Sequence, residues 1–139
     1  MNINHVLVLT TDLHIMTDFW TKVIGFHVGE RPPFPFDGVW VYSNDKPLIH
    51  IAKISSTFEN GAIAHVALEG ADYIILINRL NESPYSYTEK IVPLSKERQV
   101  FIAGPNNLTV EMLFPLNEKN QFTEHKQLAY QANENLTFL

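Results

Sequence analysis

The chain has no cysteine among its 139 residues. That excludes a disulfide framework, thiolate metal ligands and a cysteine nucleophile together, and leaves His, Asp and Glu as the side chains able to hold a transition metal. It also lacks any run of Lys or Arg longer than a scattered pair, and its formal net charge is −5. Such a surface carries no electrostatic footprint for phosphate backbones or anionic lipids, so neither nucleic acid nor a membrane is expected as a partner. No apolar stretch approaches the roughly 20 residues of a membrane-spanning helix. The sequence opens on a strand-like run, Ile3 to Leu9, without a basic region or a small-residue cleavage site, so a cytoplasmic location is expected.

What the chain does have is enough apolar content, 45%, to build one core of ordinary domain size. It also repeats itself once, at close to half its length. Asn4-His5-Val6-Leu7-Val8-Leu9 resembles Ala64-His65-Val66-Ala67-Leu68-Glu69, and Leu48-Ile49-His50-Ile51 resembles Thr109-Val110-Glu111-Met112, at offsets of 60 and 61 residues. Each half gives the same order: a histidine-bearing strand, a helix, then three strands. The fold class expected is α+β, two βαβββ modules at about residues 1–56 and 60–116 in one domain. The polar stretch 117–139 forms a tail for which a loose helix, an arm on a partner and disorder are all compatible with the composition.

In the first half Asp12 is placed to cap a helix with Leu13, Met16, Phe19, Trp20 and Val23 on one face, and Gly25 to end it. Strands are expected at 26–28, 38–42 and 48–54, with Asn44-Asp45-Lys46-Pro47 as a turn. In the second half Asp72 opens a helix with Tyr73, Leu76, Ile77 and Leu80 on one face. Strands follow at 85–91, 99–102 and 108–114, the last two joined through Gly104-Pro105-Asn106-Asn107.

The chemistry is concentrated in four polar residues set in apolar strands: His5, His50, His65 and Glu111. A carboxylate in the middle of Leu108 to Phe114 is costly to bury without a cation or strong donors beside it. A lone strand histidine is more often a satisfied core or edge residue than a ligand; four such residues at equivalent places in two halves point instead to one divalent metal.

This pattern resembles the vicinal oxygen chelate superfamily, which includes glyoxalases, fosfomycin-resistance transferases, extradiol dioxygenases and bleomycin-sequestering proteins. The resemblance spans about Asn2 to Leu116. It implies a curved, U-shaped mixed sheet around a metal-binding cleft, and His5, His65 and Glu111 match the family's two-histidine, one-carboxylate triad. His50 matches a fourth position, Glu or Gln in typical glyoxalases and an acid-base histidine in many extradiol dioxygenases. The extradiol pattern usually has tyrosine ten residues before the terminal glutamate, where this chain has Phe101. The implied cofactor is one divalent ion, Fe, Mn, Zn, Ni or Co, with His50 either a fourth ligand or, with Glu111, a catalytic proton carrier. The implied activity is that of a metal-dependent enzyme on a small oxygenated metabolite, with the dioxygenase-like arrangement slightly ahead of a glyoxalase-like isomerase or lyase. Group transfer to an antibiotic and non-catalytic sequestration of a drug are the alternatives. A homodimer is implied as well, in which a site could be shared between subunits.

Around this set, Phe34, Phe36, Trp40 and Phe101 are candidate walls for a substrate, and Arg31 is a candidate anchor, with Arg98 a second arginine able to grip a carboxylate or phosphate. Lys96-Glu97-Arg98 otherwise reads as a solvated turn.

Overall fold

The computed structural model describes residues 1–56, 59, 61–92 and 97–116. The tail assigned to 117–139 and Lys96 therefore lie outside the described residues. The chain divides into two compact units, residues 1–59 and 60–139. Each described unit is a mixed four-stranded sheet with a helix, the α+β βαβββ pattern that the internal repeat predicts.

The first unit runs β1 (Val6–Thr10), α1 (Leu13–Asp18), a π-helical continuation (Phe19–Ile24), β2 (His27–Gly29), β3 (Gly38–Ser43) and β4 (Lys46–Lys53). Its strand order is β1-β4-β3-β2, with β1 parallel to β4 and the rest antiparallel. Asp12 caps α1 through a carboxylate oxygen that accepts from the Ile15 amide at 3.0 Å. The amides of Gly25 and Phe26 both donate to the Trp20 carbonyl, at 3.1 and 2.9 Å, which widens the last turns. Gly25 then closes the helix at φ 98°, a left-handed conformation that glycine adopts without steric cost.

Register decides the two faces. Val8, Val41, Ile49 and Ile51 lie on one face and are buried, as are Met16, Phe19, Trp20 and Val23 of the helix that packs over them. Each large side chain so buried contributes about 1.5–3 kcal/mol. The opposite face carries Leu7, which pairs with His50, and Trp40, which also pairs with His50 from the other side. Leu7 is 58% exposed, so this second face is open within the unit.

The second unit repeats the plan: β5 (Val66–Glu69), α2 (Tyr73–Asn81), β6 (Tyr87–Ile91), β7 (Glu97–Ala103) and β8 (Thr109–Pro115), ordered β5-β8-β7-β6. Asp72 caps α2 by accepting from the Ile75 amide at 3.0 Å, as Asp12 does for α1. The β7–β8 connection is a single 3₁₀ turn, Pro105–Asn107, in which Asn106 and Asn107 have φ of 54° and 61°. Asparagine tolerates this left-handed region better than most residues, which fits the turn expected there.

Two expectations are revised. The histidine strands begin later than read: His5 and His65 each stand one residue before their strands, at the entrance instead of within. Glu97 and Arg98 are not a solvated turn but the start of β7, and Arg98 is fully buried. Strand alternation places Arg98 with Val100 and Ile102, facing inward. There its guanidinium carbon lies 5.4 Å from the centre of the Tyr73 ring and its Nη1 is 3.5 Å from Glu89 Oε1, while the Tyr73 hydroxyl donates to the same carboxylate. A cation in a fully buried ion pair is no anchor for a substrate.

Candidate functional site

The four expected site residues form two pairs, one in each unit. In the second unit β5 and β8 are parallel with Ala67 opposite Glu111, and β7 sets Phe101 opposite Glu111 from the other side. His65, at the entrance to β5, thereby meets Glu111: its Nε2 is 2.9 Å from Glu111 Oε2. The other carboxylate oxygen, Oε1, accepts a 2.5 Å hydrogen bond from Gln99 Nε2. Phe101 is buried and packs edge-on to the His65 ring, with centroids 5.9 Å apart. Glu111 is 5% exposed, so the desolvation cost foreseen from sequence is real, and Gln99 with His65 offsets part of it. Phe101 thus holds His65 in place from within the sheet.

Gln99 is the functional neighbour the sequence reading passed over. A polar residue at a strand position looks like any solvent-facing alternation. Only the register, which pairs Gln99 with Leu113 and so sets it diagonally beside Glu111 on one face, brings the amide to the carboxylate.

In the first unit the equivalent positions hold rings. His50 pairs with Trp40 across β3 and β4, and the two rings stack at 3.8 Å with an interplanar angle of 7°. His5 covers the other side of His50 at 3.9 Å and 15°. His5 is exposed, and its Nδ1 lies 2.8 Å from Asn4 Oδ1. That oxygen accepts, so the contact is a hydrogen bond when Nδ1 carries a proton, and in the neutral form of that tautomer Nε2 is the nitrogen able to ligate. His50 is different: its Nε2 is buried with no partner among the described residues. Its pKa is lowered below the ordinary histidine value by burial and then by the neighbouring His5, against the opposing pull of the Pro47 backbone.

The stack extends outward. Phe34 lies tilted to Trp40 at 6.2 Å and stacks on Phe36 at 5.5 Å. Arg31 lies 5.2 and 4.9 Å from the centres of those two phenyl rings and donates from Nη2 to the Phe36 carbonyl at 2.8 Å. Beside them opens a cavity of about 520 Å³ lined by Glu30, Arg31, Pro32, Trp40 and Tyr42.

A family model described as the Glyoxalase/Bleomycin resistance protein/Dioxygenase superfamily matches residues 2–112, nearly the whole described chain. The chain belongs to this superfamily. Solved structures with the same fold include a glyoxalase/bleomycin resistance protein/dioxygenase domain from Frankia sp. EAN1pec, 14% identical over 84% of this chain and 98% of that one, with a TM-score of 0.69. They also include the fosfomycin resistance protein FosX from Listeria monocytogenes, 14% identical over 86% and 96% with a TM-score of 0.67. A third is TnmS3, an antibiotic-binding protein from a Streptomyces species, 16% identical over 84% and 97% with a TM-score of 0.63. At such identities the likeness concerns the fold. No curated protein matches.

Members of the glyoxalase/bleomycin resistance/dioxygenase superfamily typically bind a divalent metal. Among the described residues no group of three or more His, Asp or Glu side chains is gathered for one ion; the structure shows the two pairs. The second pair fits a metal. His65 Nε2 and Glu111 Oε2 are nitrogen and carboxylate donors of the kind that hold a divalent ion, and at 2.9 Å, where they contact each other directly, they are near enough to share one. The first pair does not fit as two ligands of one ion. A histidine lone pair lies in its ring plane, and two rings stacked nearly parallel aim their lone pairs along parallel planes instead of at a common point. No helix among the described residues is long and apolar enough to cross a membrane.

Proposed function

We propose that the protein is a metal-dependent enzyme acting on a small oxygenated metabolite. In this reading His65 and Glu111 hold one divalent ion with His5 as the third donor, from the same chain or from a partner copy in a homodimer. His50 stands off the ion and carries protons. The observation that supports it most is the His65–Glu111 pair, with the carboxylate fixed from behind by Gln99. Bound there, an ion with open positions binds vicinal oxygens of a substrate and offsets the negative charge that develops on them.

The remaining work falls to side chains. Gln99 holds Glu111 Oε1 and so turns Oε2 toward His65, which limits the reorganisation needed to seat a cation. His50 is kept neutral by burial and by His5, so its unpartnered Nε2 can accept the proton of a substrate hydroxyl at neutral pH. Trp40 and His5 restrict that ring to one orientation by covering both of its faces. A histidine that does not ligate would favour the dioxygenase-like reading, with Fe²⁺ or Mn²⁺ as the suited ion, over a glyoxalase-like isomerase or lyase in which Glu111 would serve as the base.

A second reading has its own support. The aromatic run ending at a cavity of about 520 Å³ also suits a protein that binds a planar drug or metabolite without transforming it. Chelation separates the two. The enzyme reading expects dialysis against a strong chelator to lower the thermal midpoint and abolish turnover of a vicinal-diol or diketone substrate, with both restored by re-addition of metal. Unchanged stability and unchanged ligand affinity after chelation would leave the binding-protein reading standing instead.

A further inference from the structure

Of the two arginines that the sequence offers as anion anchors, the structure commits one and leaves the other open. Arg98 is fully buried, with Nη1 3.5 Å from Glu89 Oε1, and has no surface to offer a ligand. Arg31 lines the cavity, and its one hydrogen bond among the described residues uses Nη2 and the Phe36 carbonyl. It lies against the Phe34 and Phe36 rings and close over Gly38, where a Cβ would meet the Ile51 carbonyl oxygen at 2.6 Å and crowd Nη2 at 3.0 Å and Cζ at 3.2 Å. The guanidinium is therefore oriented by one hydrogen bond and two ring contacts, with donors to spare. A planar fork held this way matches a carboxylate better than a mobile ammonium would, because little rotamer freedom remains to be lost.

The rest of the lining defines what the carboxylate is attached to. Trp40 and Tyr42 give the cavity aromatic walls, and Tyr42 is anchored by donating its hydroxyl to the Glu30 carbonyl at 2.7 Å. Trp40 is also the residue whose ring lies on His50, so a ligand along Trp40 leads from Arg31 toward the proton carrier. Glu30, the one acidic residue of the lining, is exposed and forms no ion pair with Arg31 within 4 Å. Being solvated, it weakens an anion's binding modestly without cancelling a direct contact to Arg31.

We propose that this cavity is a specificity subsite for a planar aromatic or conjugated carboxylate, with Arg31 gripping the carboxylate and Trp40 lying along the ring. The proposal rests on the enzyme reading above only for what happens next; the subsite itself belongs to the first unit and needs no metal.

The test compares 3,4-dihydroxybenzoate with its uncharged isostere 3,4-dihydroxybenzamide, read by quenching of Trp40 fluorescence. The second tryptophan, Trp20, is fully buried and gives a constant background. The expected result is tighter binding of the acid than of the amide by about tenfold, the scale of a charge-assisted contact. Arg31→Gln should weaken the acid about tenfold more than the amide and so erase that preference, Arg31→Lys should restore only part of it, and Glu30→Gln should tighten the acid about two- to threefold as a screened surface charge is removed. Equal binding of acid and amide, absence of saturable quenching by either, or an Arg31→Gln variant that weakens both alike would overturn the proposal. Metal content measured on the same samples reports separately on the enzyme reading. A metal-free protein that still prefers the acid keeps the subsite and loses the enzyme, whereas a metal-loaded one without the preference does the reverse.

Discussion

The two units place different chemistry on the same backbone frame. In each, a residue of the last strand lies between the first strand and an aromatic cross-strand partner: His50 between Leu7 and Trp40, Glu111 between Ala67 and Phe101. In the first unit the neighbours are flat rings, and they turn His50 into the middle layer of a stack with a buried, unpartnered nitrogen. In the second the neighbours are Gln99 and His65, and they hold a carboxylate with both oxygens engaged. The strand position delivers a side chain to a face, while the side chains around it, rings about His50 and Gln99 with His65 about Glu111, set its surroundings.

The sheets also differ beneath their helices, and the sharpest break in the comparison is expected there. The first unit fills that space with Phe19, Trp20 and Met16, the second with Tyr73, Glu89 and Arg98. Arg98→Ala strands the Glu89 carboxylate in a site with no exposure and should cost about 3–5 kcal/mol in a denaturant titration. A loss under 1 kcal/mol would show that the pair is not buried in solution. Next in size, Glu111→Gln should lower metal affinity about 100-fold or more, since it replaces a charged donor by a weaker neutral one where outer contacts alone are worth 10–100-fold. Gln99→Leu should lower it about tenfold in a competition titration while leaving the fold intact, because it frees the carboxylate without deleting it. An affinity unchanged in Gln99→Leu would mean that the amide does not position Glu111. The smallest effects should be equal: Asp12→Ala and Asp72→Ala each remove one cap of the same 3.0 Å geometry and should each cost about 1 kcal/mol. Unequal losses would show that the two helices depend on their caps to different degrees.

Much of the frame could be read from sequence because period and punctuation report on it directly. The repeat at 60 and 61 residues, Asp12 and Asp72 as caps, Gly25 as terminator and the asparagine turns all correspond to observed elements. The wider turns of Phe19–Ile24 were not legible, since the apolar spacing of Met16, Phe19, Trp20 and Val23 serves an α- or a π-helix equally. Arg98 was misread because Lys96-Glu97-Arg98 looks like a charged turn until β7 is extended back by two residues, whereupon Arg98, Val100 and Ile102 fall on one face. Of the site, position in the repeat gave four residues and the family resemblance gave the His5, His65 and Glu111 set, whereas the separation into two pairs, Gln99 and the sandwich around His50 depend on register, which a single sequence does not carry.

In the proposed site His65 and Glu111 bind the ion and His50 does not. The most direct test is elemental analysis of protein purified without an affinity metal, comparing the unaltered chain with Glu111→Gln and His50→Ala. The account predicts about one first-row metal per chain in the unaltered protein and in His50→Ala, and loss of it in Glu111→Gln. Metal lost equally from His50→Ala, or absent from every sample after reconstitution, would contradict it.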